Sequence, residues 1–168
     1  AGFRGLKMDV YEGGIRIPFI AYWKNKIKAG STSGLVSGHW DMYNTFADLV
    51  GQPTTALDGI SILGELLGKK QEQQHPYLYF EFPEKRGQIA VHFGKWKGVK
   101  IDMKTNPNAT WELYNMEEDP NEQKDLAATF PTIVQQMDSL QRLAHRHPHI
   151  REWEFIDPKF KKKHTRLY

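Results

Sequence analysis

Apolar residues along the chain fall into short runs separated by polar connections that carry glycine or proline. The first run, Phe19-Ile20-Ala21-Tyr22-Trp23, is apolar on both faces. That pattern predicts a strand buried on both sides in an α/β sheet, with Pro18 at its start or at a sheet edge. From Asp41 to Val50, Met42, Phe46, Leu49 and Val50 recur at helical spacing, and Gly51 and Pro53 end the predicted helix. Asp58-Gly59 makes a turn, and Ser61 caps a short helix that carries Ile62, Leu63, Leu66 and Leu67 to Gly68.

Lys69 to His75 is rich in Lys and Gln and has no periodicity, which marks it as a boundary between residues 1–70 and residues 71–168. The pattern beyond it is different. Tyr77 to Phe82 reads as a strand, Pro83 to Gly87 as a turn, and Gln88 to Ile101 as a second strand bent or bulged at Gly94 and Gly98. Together they predict an antiparallel hairpin. After the Asn106-Pro107-Asn108 turn, Trp111 to Asn115 is a third strand. Pro131 then opens an amphipathic helix with Ile133, Val134, Met137, Leu140 and Leu143 toward the core.

Composition narrows the picture. The 168 residues, 39% hydrophobic and 26% charged, describe an ordinary globular chain, and the longest apolar run is far too short to span a bilayer. The absence of cysteine excludes disulfides, zinc-thiolate sites and a cysteine nucleophile within these residues. The net charge of +3 gathers in Lys159, Lys161, Lys162, Lys163 and Arg166, after an acidic stretch at Glu117 to Glu122, which argues against a nucleic-acid face. The chain opens on Ala1-Gly2-Phe3-Arg4, so the absence of a leader says nothing about export.

Several segments carry recognisable motifs. They are Gly5-Leu6-Lys7 with Tyr11-Glu12-Gly13-Gly14-Ile15-Arg16-Ile17-Pro18; Ser37 to Gly51 with Leu57-Asp58-Gly59-Ile60-Ser61 and Leu67-Gly68; Gly94-Lys95-Trp96-Lys97; and Leu113-Tyr114-Asn115-Met116 with Asp119-Pro120-Asn121-Glu122 and Leu126-Ala127. In this order and spacing they resemble the C-terminal part of formylglycine-dependent sulfatases of the alkaline-phosphatase-like superfamily. Tyr43-Asn44-Thr45, Asn115 and Asp125 depart from that pattern at helix starts and caps. The resemblance implies an α/β fold: the end of an α/β/α sandwich over residues 1–70, followed by a small antiparallel sheet with a C-terminal helix. It implies a parent enzyme that hydrolyses sulfate esters, with formylglycine and calcium as its cofactors and a periplasmic or secreted location. It also implies a missing N-terminal part as partner, and a sulfated small molecule or glycan as ligand.

The family's [CS]-x-P-x-R motif is absent, since there is no cysteine and no serine is followed by proline two positions on. Its calcium-binding Asp-Asn pair would precede Ala1. The chain alone is therefore expected to be inactive and to bind no cofactor. What the resemblance carries over is Lys7, as a cation for the sulfate oxygens. Glu12 and Arg16, four apart, read as a structural ion pair, and Gly13 and Gly14 as backbone devices that accept positive φ or a close approach to ligand. His39 at a helix start, and Arg86, Gln88, His92, Lys95 and Lys97 on the hairpin, are candidate substrate contacts or solvated residues. His145, His147 and His149 mimic a metal site, but alternate spacing at a helix end beside Pro148 speaks against one. A non-catalytic glycan-binding or scaffold module and a phosphatase or phosphodiesterase of the same superfamily are the alternatives. Loss of sheet neighbours predicts apolar surface exposed on the first half unless the missing part is bound, so that the fragment self-associates or needs its partner chain.

Overall fold

The computed structural model describes residues 2–54, 58–106, 108–157 and 159–160. Leu57, Pro107 and the basic run Lys161–Lys163 lie outside the described residues. The chain forms two compact units, residues 1–16 with 77–168, and residues 17–76. These boundaries differ from the division at residue 70, because the first sixteen residues pack on the sheet that follows rather than on their neighbours in sequence.

The larger unit is built on four antiparallel strands in sequential order: β1 (Leu78–Phe82), β2 (Gln88–Phe93), β3 (Trp96–Lys100) and β4 (Glu112–Asn115). The stretch expected to be one bent strand is two, paired Phe93 to Trp96 and Ile89 to Lys100 around the turn Gly94-Lys95. Gly94 opens that turn at φ +55°, the region glycine enters without steric cost. Gly98 is no bulge. It stays in register opposite Val91 and Leu113, and an added Cβ there would meet Met137 Cγ at 2.9 Å, so its bareness lets a helix approach.

Strand alternation sorts the side chains onto two faces. Ile89, Val91 and Leu113 form one core with Trp111 and with Met137 of α4 (Pro131–Ala144). Pro131 starts α4 at its first turn, where its missing N–H costs nothing. Of the predicted stripe, Ile133, Val134, Met137 and Leu140 pack inward, while Leu143 is exposed. Asp138 fastens the helix by accepting from Trp111 Nε1 at 2.7 Å and Lys100 Nζ at 2.9 Å. The opposite face buries Ala90, Val99 and Tyr114 under Val10 and Tyr11 from the chain's start.

The smaller unit has helix α2 (Asp41–Leu49) and the single turn α3 (Leu63–Leu66). Its described interior is mostly polar: Asp41, Asn44 and Thr45 are buried with Ile62. Asp41 accepts from the amides of Gly38 and Ile60 at 2.7 and 2.9 Å and sits 2.8 Å from His75 Nε2. Thr45 Oγ1 accepts from the Ile62 amide at 3.0 Å. Residues 17–23 form no strand here. Ile20 is 91% and Tyr22 85% exposed. A strand apolar on both faces needs partners on either side, and among the described residues none pairs with it. No described helix is long and apolar enough to cross a membrane.

Candidate functional site

Lys7 lies exposed on a tight loop at the chain's start. Gly5 at φ +83° and Met8 at φ +78° bend the loop, and the Leu6 amide donates to Asp9 Oδ2 at 2.9 Å while the Asp9 amide returns a bond to the Leu6 carbonyl at 2.9 Å. Asp9 is anchored to Lys85 Nζ at 2.7 Å, which helps hold its carboxyl below the usual range against the opposing effect of burial. Gln88 holds the far side. Its Nε2 donates to the Met8 carbonyl at 3.0 Å, and its Oε1 accepts from the Val10 amide at 3.4 Å.

After the loop the chain enters α1 (Glu12–Ile15), a single helical turn. Neither Gly13 nor Gly14 has positive φ. A Cβ on Gly13 would sit 2.2 Å from the Gly5 carbonyl oxygen, and one on Gly14 2.0 Å from that of Asp9. The two glycines thus serve close approach, but to the chain's own loop rather than to a ligand. The helical turn is pressed directly against the backbone that presents Lys7.

Glu12 is buried, and its carboxylate lies 2.8 Å from Lys97 Nζ and 3.6 Å from Arg16. The expected pair with Arg16 is present as the looser of the two contacts. Lys97, fully buried, also contacts Glu122 Oε1 at 2.7 Å, and Glu122 Oε2 accepts from the Glu12 amide at 2.7 Å. Burial pushes the Glu122 carboxyl above its ordinary value, although Lys97 pulls the other way. Glu122 itself stands at φ +56°. One ammonium therefore gathers the Glu12-Gly13-Gly14, Gly94 to Lys97 and Asp119 to Glu122 motifs around a single point.

Beside it, Arg4 lies 4.0 Å over the Tyr11 ring and donates to Tyr114 Oη at 2.6 Å and to the Glu122 carbonyl at 3.1 Å. Tyr11 donates to Glu112 at 2.7 Å, and Tyr114 bonds the same carboxylate. Burial and this shared carboxylate drive both phenols well above their usual range, so they stay protonated donors.

The hairpin candidates divide by face. Gln88 and His92 share a face with Lys97, which the chain's start covers, so Gln88 is 2% exposed with both amide atoms engaged, and Lys97 is no solvated residue. Gln88 is thus a support for the loop, not a substrate contact. His92 is half-buried, and burial lowers its pKa against the pull of Glu12. Arg86 remains exposed on the β1–β2 loop, paired with Asp102 at 2.9 Å. His39 is exposed just before α2 in the smaller unit, its carbonyl accepting from the Met42 amide at 3.3 Å.

Residues 6–149 match the family described as N-sulphoglucosamine sulphohydrolase, C-terminal. The chain belongs to this sulfatase family. Human arylsulfatase A is 32% identical over 162 residues, which cover 82% of this chain and 32% of that protein. An N-acetylgalactosamine-6-O-sulfatase of Bacteroides thetaiotaomicron is 28% identical, over 82% of this chain and 29% of its own length. Among solved structures, a Bacteroides thetaiotaomicron sulfatase from work on the metabolism of multiple glycosaminoglycans matches with a TM-score of 0.69 at 25% identity, covering 84% of this chain and 32% of that one. The sulfatase chain thus spans about a third of the length of the relatives it matches.

Calcium takes oxygen ligands, about six to eight of them. Among the described residues, the one group of three or more His, Asp or Glu side chains close enough to share an ion is His145, His147 and Glu154. Two imidazoles are poor donors for that cation. With no cysteine, and no serine in the required motif, the sulfatase chain also offers no formylglycine precursor. Among the described residues, then, that group does not fit calcium, and the sequence does not fit formylglycine.

Proposed function

We propose that this chain is the C-terminal part of a sulfatase hydrolysing an aryl sulfate or a sulfated glycan, with Lys7 placing positive charge against the sulfate oxygens. Sulfur–oxygen cleavage builds negative charge on the leaving alcohol and leaves it on the non-bridging oxygens, and a compact ammonium with three donors suits either position. The observation that carries the reading is the mounting of Lys7. Its side chain is exposed, yet its loop is fixed by Lys85 on one side and Gln88 on the other and backed by the Gly13-Gly14 turn, itself held by Glu12, Lys97 and Glu122. An exposed cation on a rigid mount is an arrangement for a bound anion, because the loop needs no reorganisation when charge develops.

The nucleophile and the calcium would come from the preceding part of the protein, along with most of the pocket. An exported location, periplasmic or secreted, goes with this reading. Arg86, exposed in the unit that carries Lys7, is the candidate for a contact to the rest of the substrate.

The test has two arms. The 168-residue chain alone should not turn over 4-nitrophenyl sulfate, and measurable hydrolysis lost in Lys7→Ala would show that the chemistry resides in this chain. In the protein extended to include its upstream region, Lys7→Ala should lower kcat by about 100-fold or more, the scale of removing one donor to a developing charge. Unchanged turnover there would refute the role of Lys7.

A further inference from the structure

Helix α4 ends at Ala144, and His145 leaves it with an extended backbone at φ −60°, ψ 132°. Side chains two apart in extended chain project the same way, and Pro148 favours that conformation at His147. The alternate spacing that counts against ligation on a helix therefore favours it here. His145 Nε2 lies 3.2 Å and His147 Nδ1 2.9 Å from Glu154 Oε2, and the three ligand atoms fall within 4.8 Å of one another. His149 is not part of the group.

The surroundings are built to hold these three in place. Glu154 is fully buried, and its Oε1 accepts from the Ile156 and Asp157 amides at 2.7 and 2.8 Å, which leaves Oε2 facing the two rings. Behind His145, Nδ1 sits 2.6 Å from Glu81 Oε1, which also accepts from Tyr79 Oη at 2.6 Å. A carboxylate in that position orients an imidazole and keeps a proton on Nδ1, leaving the Nε2 lone pair for a metal. The His147 ring stacks on Phe160 at 3.8 Å between centroids and 3° between planes.

We propose that His145, His147 and Glu154 bind a first-row divalent cation, zinc being the best match to two imidazoles and one carboxylate. A single dication at this point satisfies both rings and the carboxylate at once. The two N–O separations are close to the edge of a tetrahedron with bonds of about 2.0 Å, which is about 3.3 Å, and the two ring nitrogens, at the far ends of the 4.8 Å span, close toward that edge when the ion binds. Three protein ligands leave one position for water, and His147, 43% exposed at its side chain, gives the ion a way in. Such an ion clasps the segment carrying Phe155 and Ile156, which close the α4 side of the core, to Glu81 of β1.

The test is competition for Zn²⁺ between the 168-residue chain and a chromogenic chelator, with circular dichroism to establish that each variant is folded. One equivalent should bind. His147→Ala, at an exposed position that leaves the fold intact, should weaken binding at least tenfold, and Glu81→Gln should weaken it by about 10- to 100-fold as a positioning residue. His149→Ala should leave it unchanged. Co²⁺ in place of zinc should give the intense visible absorption of a four-coordinate site, lost in His147→Ala. The proposal is overturned if the folded chain binds no zinc, if His147→Ala binds it as tightly as the parent, or if the loss follows His149 instead.

Discussion

Replacing Lys97 with methionine probes the cluster on which the Lys7 loop is mounted. Methionine keeps most of the side chain's volume and removes only the charge. Two carboxylates, Glu12 and Glu122, are then left facing each other with no cation among the buried groups, and only the exposed Arg16 remains beside Glu12. Each carboxylate loses a cation at under 3 Å. At an effective dielectric of about 20 one such attraction is worth about 4 kcal/mol at 4 Å, and it is partly offset by the repulsion between the two anions and by the cost of burying Lys97. Breaking a buried pair from one side costs about 3–5 kcal/mol, a large share of a typical total of about 5–15 kcal/mol. Urea unfolding at pH 7, followed through the fluorescence of buried Trp111, should show that loss. Adding Glu122→Gln to Lys97→Met should then cost less than the sum of the two single changes by about 1–3 kcal/mol, because the second change relieves what the first exposed. Acid should also narrow the deficit. Burial already raises Glu122, and without Lys97 it should rise further. A carboxyl raised above its unfolded value contributes stability at low pH that is lost as pH climbs through the folded value. A loss below about 1 kcal/mol, or additivity within about 0.5 kcal/mol, would refute the cluster's role.

Gly14→Ala places a methyl group 2.0 Å from the Asp9 carbonyl oxygen, so the helical turn and the Lys7 loop must separate. It should cost about 1–3 kcal/mol in chemical denaturation, and a neutral result would show that the loop gives way freely. Asp138 is held below its ordinary value of 3.8: burial raises it, but Trp111 and Lys100 outweigh that. Its contribution is present above 3.8 and is lost as pH falls below it, so the acid limb of the stability curve should be shallower in Asp138→Asn than in the parent. The exposed run Phe19 to Trp23 should drive self-association of the isolated chain in sedimentation velocity, and Ile20→Lys with Tyr22→Lys should restore the monomer. A well-dispersed parent monomer would count against an unpartnered sheet strand.

The parts of the fold whose reasons are local could be read from the residues. Helix α2, helix α4 and β1 follow the spacing of their apolar positions, and the turn at Pro83 to Gly87 follows its residue types. The hairpin at Gly94 was blurred into one strand, because a two-residue turn leaves the alternation of strand residues almost unbroken. Residues 19–23 show the opposite failure. Their pattern is that of a strand, but a pattern supplies no neighbours, and the described chain pairs them with nothing. At the candidate site, Lys7 could be picked out by its motif, and the Glu12–Arg16 contact by its spacing. Gln88 and Lys97 read as substrate contacts or solvated polar residues because nothing nearby in sequence reveals that the first fourteen residues will cover that face. The clue available was the repeated presence of charge within otherwise unrelated motifs, at Glu12, Lys97 and Glu122. The convergence of His145 and His147 on Glu154 was hidden because it depends on α4 ending before His145.

The bond from the Glu12 amide to Glu122 joins residues 110 apart. During synthesis the loop with Lys7 leaves the ribosome among the first residues of this segment. Its partners Gln88, Lys97 and Glu122 all follow later, and at about 5–20 residues per second the last of them trails by about 5–20 s. For that interval the loop has no mount. The order of translation therefore places Lys7 well before the residues that shape its loop, and a pause or truncation anywhere before Glu122 would release a product whose loop is unformed.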